Sequence, residues 1–458
     1  MRKTTFTVIA LVLFATCLPM ASFGTEAPSA DSTERTAYAD LAGYWMGVHL
    51  RQGSPRFVQL EITVRDGRPA AAVIHPEWAS IGEPAAAIEV EGSKVSIRFD
   101  EQTAIELELD PVRGEMAGTG TVSGTGDHRF FRAHYKKTFR PALPAIERKA
   151  LTFEHAGKTF SAELVLPAAP GPHPAMVMFH GRSNGKKESF RDDVVLLARR
   201  GVATLAFDRR GEGDSGGDAT TATFADLAAD GRAAVAALAD RPEVDAARLG
   251  IYGQSAGGWV AAAVAADNPR VRFVVLNVGP AVSVWEQQAQ VSQYRMKRQT
   301  EIDFTTEELA AARAHVTQVM EVGRRGEGWD RLAEANARAE QTRWGRFVPR
   351  PDEERDFDWP RRFATDPRPY LETITVPLLA LYGENDIIVP PEENVPRLEA
   401  ALQRAGNANY EIVILPQTGH GLALGGATGE LGGSDVHFWP RYAPELYSTL
   451  FGWLETSL

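Results

Sequence analysis

The sequence predicts an α/β protein: a mostly parallel, doubly wound sheet with a helical lid insertion, preceded by a small antiparallel all-β domain. Before about residue 140, short segments alternate apolar and polar side chains, as strands with one buried face do. After about residue 150, short continuously apolar runs alternate with helix-like segments, which is typical of a parallel sheet covered on both faces. With 458 residues, 44% of them apolar, the chain can bury the cores of two or three domains.

Composition excludes several classes of function. The formal net charge of −11 disfavours nucleic acid or an anionic membrane as the main partner. The single cysteine, Cys17, excludes zinc–thiolate sites, iron–sulfur clusters and internal disulfides. The ten histidines include no pair at the spacing of a metal-binding motif, so we predict no metal site.

Residues 1–24 have the three parts of a secretory signal peptide. Arg2 and Lys3 precede an apolar run, and small residues follow up to Gly24. We therefore expect a secreted or periplasmic protein with no stable membrane insertion after cleavage. Two alternatives stay open, namely lipid attachment at Cys17 and retention of the segment as an uncleaved anchor.

Residues 37–140 are expected to form the antiparallel β domain. Phe57–Val64 alternates apolar and polar residues, and Asp66-Gly67 then predicts a hairpin turn. Seven or eight such strands suggest a small barrel or sandwich. The start Gly43-Tyr44-Trp45 is similar to that of lipocalin-like barrels, but we interpret the domain as an accessory unit without a ligand.

Residues 150–458 are expected to form the α/β domain, after a linker that contains Pro141 and Pro144. Residues 283–370 interrupt the alternation, since they show two helical segments and no strand pattern. We interpret them as the lid insertion. The predicted strands are 163–166, 175–179, 202–207, 249–252, 273–276, 378–381 and 412–415.

Gly-x-Ser-x-Gly occurs three times, around Ser183, Ser215 and Ser255. Only Ser255 combines a preceding apolar strand with an alanine-rich helix start, the strand–turn–helix setting that a serine nucleophile requires. Ser215 lies in a glycine-rich loop, where we expect Asp208 to bind backbone groups. Ser183 also follows a strand and is the rival candidate.

A serine hydroxyl needs a base to accept its proton, and the base needs a carboxylate to orient it. His420 and Asp386 each follow an apolar strand, at the edge of the sheet where open α/β sheets place their sites. The sequence therefore predicts a catalytic triad of Ser255, Asp386 and His420. Glu384 is the alternative acid, and Asn385 is interpreted as a turn residue.

The negative oxygen formed by attack on a carbonyl needs two N–H donors. We expect them to be the backbone amides of Ala256, at the helix start, and of Arg182, in the loop after His180-Gly181. His180 is interpreted as structural, and the Arg182 side chain as solvated.

These residues resemble the α/β-hydrolase family, above all its dienelactone-hydrolase and prolyl-oligopeptidase-like bacterial serine esterases. The resemblance covers roughly residues 150–458 and does not extend to residues 25–140. It implies a Ser–His–Asp hydrolase with an acyl-enzyme intermediate and no cofactor. The motifs that carry it are His180-Gly181, Asp208-Arg209-Arg210-Gly211-x-Gly213-x-Ser215, Gly253-x-Ser255-x-Gly257, Gly383-x-x-Asp386 and Gly419-His420-Gly421.

The leading hypothesis is a secreted carboxylesterase acting on a small-molecule ester, with the insertion as a lid. Alternatives with the same triad are a serine peptidase and an acyltransferase or thioesterase. A non-catalytic binding protein on this scaffold is disfavoured, because all three triad residues are present.

Overall fold

The structure, a computed structural model, describes residues 38–51, 53–74, 82–122, 129–140, 142–298, 302–351, 357–424 and 441–458. The predicted signal peptide, residues 1–24, and Cys17 lie outside these ranges. In the described part of the chain, no helix combines the length and apolar character that crossing a membrane requires.

The N-terminal unit is one antiparallel sheet curved into a half-barrel. Its hydrogen-bonded order is β4-β3-β2-β1-β9-β8-β7-β6-β5. At the predicted hairpin turn, Asp66 and Gly67 have φ angles of 52° and 73°, as a type I′ turn requires. The strands are Gly43–Arg51 (β1), Ser54–Arg65 (β2), Arg68–Ile74 (β3), Glu83–Pro84 (β4), Ala87–Glu91 (β5), Lys94–Arg98 (β6), Ala104–Asp110 (β7), Glu115–Thr121 (β8) and Phe130–Thr138 (β9).

Alternating side chains give the half-barrel its own core. In β7, Ile105, Leu107 and Leu109 are buried while the intervening glutamates are exposed. Trp45 and Leu60 are opposite each other in β1 and β2 and are both fully buried. The buried cluster formed by these residues contains side chains of the half-barrel only.

The second unit is an eight-stranded sheet of order β10-β11-β13-β12-β14-β15-β16-β17. The β10–β11 and β11–β13 pairs are antiparallel, and every later pair is parallel. The strands are Ile146–His155 (β10), Lys158–Pro167 (β11), His173–Phe179 (β12), Ala203–Phe207 (β13), Val244–Gln254 (β14), Phe273–Asn277 (β15), Leu378–Gly383 (β16) and Tyr410–Leu415 (β17). A further pair, Ala423–Leu424 (β18) and Arg441–Tyr442 (β19), lies outside this sheet.

Helices cover both faces of this sheet, as the continuous apolar strands predict. In β12, Val177 and Phe179 point into one core, while Met176 and Met178 point into the other. The covering helices are Arg191–Arg199 (α1), Phe224–Ala239 (α2), Ala256–Ala265 (α3), Arg368–Leu371 (α8), Pro391–Arg404 (α9) and Pro444–Ser457 (α10). The first and last of these pack on one face, and the others pack on the opposite face.

The insertion between β15 and β16 is helical in its described residues. It contains Val284–Arg298 (α4), Thr306–Arg325 (α5), Trp329–Glu340 (α6) and Asp358–Arg362 (α7), and α8 follows these helices. Buried side chains of these helices and the segments between them, among them Val316, Trp344 and Phe357, form a separate cluster. The insertion therefore has a core of its own.

Candidate active site

Ser255 occupies a sharp turn between β14 and α3. Its backbone has φ 50° and ψ −120°, a conformation that costs a non-glycine residue about 1–3 kcal/mol and that only the surrounding structure maintains. Two hydrogen bonds hold the turn: the Ser255 N–H donates to the Asn277 carbonyl (2.9 Å), and the Ser255 carbonyl accepts from the Gly258 N–H (2.8 Å).

The motif glycines around Ser255 are required by close backbone contacts. A Cβ on Gly257 would lie 2.2 Å from the Phe179 carbonyl oxygen, at the end of the neighbouring strand β12. A Cβ on Gly253 would lie 2.6 Å from the Gly257 carbonyl oxygen. A side chain at either position would push the turn away from the sheet, so the Gly-x-Ser-x-Gly spacing has a packing origin.

Ser255, His420 and Asp386 form one hydrogen-bonded chain. The Ser255 Oγ lies 2.9 Å from His420 Nε2, and His420 Nδ1 lies 2.8 Å from Asp386 Oδ2. Because the carboxylate is an acceptor, Nδ1 carries the hydrogen of the neutral ring, and Nε2 is then free to accept the serine proton. The structure thus brings together three residues, the first and last of which are 165 positions apart in the sequence.

The Asp386 side chain is fully buried and held by the backbone. Its Oδ1 accepts hydrogen bonds from the N–H groups of Ile388 (2.7 Å) and Val389 (2.9 Å). These bonds leave Oδ2 directed at His420, whose side chain is 22% exposed. The arrangement fixes the imidazole while leaving one side of the ring open to solvent and substrate.

The loop after β12 lies beside Ser255. A Cβ on Gly181 would lie 3.5 Å from the Ser255 Cβ. Arg209 donates hydrogen bonds to the carbonyls of Gly181 (3.0 Å) and Arg182 (3.2 Å). Ala256 is the first residue of α3, so its N–H has no carbonyl of the same helix to bind. Both predicted oxyanion donors therefore belong to segments next to Ser255.

A sequence profile of the α/β hydrolase family matches residues 176–427, which is more than half of the chain. The chain belongs to the α/β hydrolase family. The matched residues begin within β12 and end seven positions after His420, so they include all three members of the hydrogen-bonded chain.

Individual relatives of this α/β hydrolase match only in part. The 2,6-dihydropseudooxynicotine hydrolase of Paenarthrobacter nicotinovorans is 30% identical over 192 residues, which are 41% of this chain and 49% of that protein. An uncharacterised protein of Pseudomonas aeruginosa is 31% identical over 175 residues, covering 37% of this chain and 46% of that protein. The chain thus spans about half the length of these curated relatives.

Among solved structures, an esterase of Pyrococcus furiosus is similar with a TM-score of 0.43 and 19% identity. That match covers 68% of this chain and 92% of the esterase.

The two rival serines of this α/β hydrolase lie in other environments. The Ser215 hydroxyl donates to the Asp208 carbonyl (2.7 Å) and accepts from the Ser161 N–H (2.9 Å), so it ties a loop to β11. Asp208 accepts from the backbone of Lys187 and Asp214, as predicted for a residue that binds backbone groups. Ser183 is exposed in the loop after β12.

Among the described residues, Glu384, the alternative acid, makes no hydrogen bond to the His420 imidazole. Glu384 is exposed and accepts from the Gln417 N–H at 2.8 Å. The Asn385 N–H donates to the Thr418 carbonyl (2.8 Å), as expected of a turn residue. Both contacts help to position the loop that carries His420.

His180 is buried and has a structural contact. Its Nε2 lies 3.1 Å from the Lys186 carbonyl, which can only accept, so Nε2 carries the hydrogen. Burial, together with the nearby Arg209 guanidinium, lowers the pKa of His180 to about 4. The ring is therefore neutral at neutral pH.

Two supporting contacts were missed by sequence reasoning. Arg209 is held by Glu212 (Nε to Oε1, 3.0 Å), and Glu212 also accepts from the Gly185 N–H (2.8 Å). Arg298, at the end of α4, donates to the Asp386 carbonyl (3.0 Å). Both arginines bind backbone carbonyls of loops that are distant in the sequence. The residues that flank them in the sequence do not distinguish them from the chain's other arginines.

The described residues include no cluster of three or more histidine, cysteine, aspartate or glutamate side chains arranged to hold a metal ion.

Proposed function

We propose that this α/β hydrolase cleaves small carboxylic esters with Ser255 as nucleophile, His420 as general base and acid, and Asp386 as the orienting carboxylate. The observation that carries the proposal is the continuous hydrogen-bonded chain from Ser255 Oγ to Asp386 Oδ2. This arrangement transfers the serine proton as the oxygen attacks a carbonyl carbon.

The reaction proceeds in two steps. His420 Nε2 takes the Ser255 proton, Oγ bonds to the ester carbonyl carbon, and the negative oxygen binds the N–H groups of Ala256 and Arg182. His420 then protonates the departing alcohol, leaving an acyl-enzyme. Water, deprotonated by His420, attacks the acyl carbon; the acid leaves and Ser255 regains its proton.

The insertion acts as a lid in this proposal. Its support is the contact of Arg298, the last residue of α4, with the loop of Asp386. Trp285, at the start of α4, packs against both the insertion core and the sheet core. A helix whose last residue is anchored to the Asp386 loop is suited to enclosing an acyl or alcohol group and excluding water.

The enzyme is further proposed to be exported, with cleavage after Gly24. The support is the charged, apolar and small-residue order of residues 1–24. Mass spectrometry of the protein recovered from the periplasm or medium tests this. An intact Met1 terminus on cell-associated protein would contradict export with cleavage.

Initial rates on nitrophenyl acetate, butyrate and decanoate, compared with those on a peptide nitroanilide, test the reaction. Ser255→Ala should lower ester turnover by at least about 10⁴-fold, while the exposed Ser183→Ala should stay within about twofold. Ester turnover that survives in Ser255→Ala would refute the assignment. Rapid anilide cleavage with slow ester cleavage would instead identify a peptidase.

A further inference from the structure

A cavity of about 250 Å³ lies between α4, α5 and α9, and none of the triad residues lines it. We propose that it binds a small organic carboxylate that also carries a hydroxyl group. The cavity is below the roughly 300 Å³ at which pockets for drug-sized ligands begin, so it fits a compact molecule. It is lined by Trp285, Glu286, Ala289, Gln290, Arg313, Thr317, Met320, Glu321, Arg324 and Arg397.

The environment of Gln290 indicates that the ligand carries a hydroxyl group. Its side chain lines the cavity, the residue is only 2% exposed, and its Oε1 has no hydrogen-bond partner among the described residues. An amide oxygen is an acceptor, and a buried acceptor without a donor destabilises the fold. A ligand O–H directed at this oxygen removes that deficit.

The environment of Arg324 indicates that the ligand carries a carboxylate. Most other charged side chains at the cavity have a partner of opposite charge: Arg313 and Arg397 share the Glu393 carboxylate (3.3 and 3.2 Å), and Glu286 pairs with Arg368 (3.0 Å). Glu321 pairs with Arg325 at 3.6 Å.

No acidic side chain in the described ranges pairs with Arg324, which therefore offers its guanidinium to the cavity. A planar guanidinium binds a carboxylate through two parallel hydrogen bonds.

The body of the ligand meets an apolar wall. Trp285, Ala289 and Met320 line the cavity beside the polar groups. An aromatic ring that bears both a hydroxyl and a carboxylate satisfies all three requirements, and 4-hydroxybenzoate is a compact example. The site is separate from the ester reaction, and the proposal does not depend on the nature of that reaction.

Titration calorimetry on the full chain, with 4-hydroxybenzoate, benzoate and 4-hydroxybenzamide as probes, tests the proposal. We expect one saturable site for 4-hydroxybenzoate, with benzoate at least fivefold weaker and the uncharged amide at least tenfold weaker. Arg324→Gln should weaken 4-hydroxybenzoate binding about tenfold. The matched control is Arg331→Gln, an exposed arginine of α6 that does not line the cavity, and it should bind as the parent does.

Gln290→Leu should abolish the preference for the hydroxylated probe. If this buried substitution prevents folding, the exposed Arg324→Gln still decides the matter. Absence of saturable binding by any probe, or equal affinities of Arg324→Gln and Arg331→Gln, would overturn the site. Ester turnover is measured separately on the same samples, so failure of this site and failure of the esterase proposal give different results.

Discussion

At the scale of single residues, two carboxylates follow β16 in the same loop, and their hydrogen bonds distinguish them. Asp386 contacts the imidazole and is held by two backbone N–H groups, whereas Glu384 binds the Gln417 N–H. Asp386→Asn should lower kcat about 10⁴-fold, because an amide at this position can stabilise the wrong imidazole tautomer. Steady-state kinetics on a nitrophenyl ester measures the loss.

Glu384→Gln is the matched control for Asp386→Asn, since it makes the same chemical change two residues earlier in the loop. It should retain kcat within about threefold, because its contact positions only the backbone of Gln417. A large loss in Glu384→Gln together with a mild loss in Asp386→Asn would transfer the orienting role to Glu384.

His180 makes the fold sensitive to acid. Its pKa is about 4 in the folded protein and about 6.5 in the unfolded chain, so between these values the unfolded state binds more protons. The neutral His180 ring therefore makes its full contribution to the free energy of unfolding above about pH 6.5, and this contribution is lost as the pH falls towards 4. The pKa difference corresponds to about 3 kcal/mol of unfolding free energy.

Urea unfolding of the parent and of His180→Asn at pH 7 and pH 4 measures this contribution. The free energy of unfolding of the parent should fall by about 3 kcal/mol more than that of the variant between these pH values, because asparagine has no proton to gain. Equal losses in the two proteins would show that His180 is not protonated more readily on unfolding.

Residue types and local context predicted Ser255, His420 and Asp386, which the structure joins by hydrogen bonds. Ser255 was distinguished from Ser183 and Ser215 by the strand before it and the helix after it, and the structure joins it to His420 by a hydrogen bond. The arginines Arg209 and Arg298 were not predicted, because their partners are loop carbonyls. A carbonyl is common to every residue, so such contacts leave no pattern in the sequence.

At the scale of elements, the last residue of α4 joins this helix to the loop that carries Asp386. Arg298 donates to the Asp386 carbonyl and pairs with Glu392 at the start of α9. Arg298→Met should lower kcat about tenfold with little change in KM, because the loss of one charge-assisted hydrogen bond is worth about 1.5 kcal/mol or more. Arg298→Lys should restore part of kcat.

Arg295→Met is the control in the same helix, since Arg295 is exposed and lies one turn earlier. If Arg298→Met retained the kcat of this control, a positioning role for Arg298 would be refuted. The partial rescue by Arg298→Lys adds a second readout, because a second cation at this position would not reverse a general loss of structure.

Strands with a continuous apolar run were predicted more completely than strands at the edge of the sheet. The predicted segment 202–207 contains Ala203–Phe207 (β13), all five residues of which are buried. Ile146–His155 (β10) was not predicted, because a strand at the sheet edge is only partly buried and its charged residues obscure the alternation. The segment 412–415 was predicted although Tyr410–Leu415 (β17) is also a partly buried edge strand, because its residues form a continuous apolar run. The hydrophobic pattern therefore detects apolar runs and clean alternation, and β10 shows neither.

At the scale of the whole molecule, the half-barrel and the α/β unit have separate hydrophobic clusters. A contact between them is the ion pair of Arg191 and Glu83, whose side chains are 39% and 43% exposed. Exposed ion pairs contribute about 0–1 kcal/mol, so this pair does little to couple the unfolding of the two units. The change of hydrophobic period near residue 140 predicts a domain boundary there, but no sequence feature specifies this contact.

Calorimetry should therefore resolve two unfolding transitions. Ile62→Ala, in the core of the half-barrel, removes buried side-chain volume that stabilises the fold by about 2–5 kcal/mol. It should lower the midpoint temperature of one transition by roughly 10 °C or more and change that of the other by no more than about a degree or two. Leu379→Ala, in the core of the α/β unit, should lower the other transition, at which ester turnover is lost. A single transition displaced by both variants would mean that the half-barrel and the catalytic sheet unfold as one cooperative unit, with the half-barrel contributing directly to the stability of the triad.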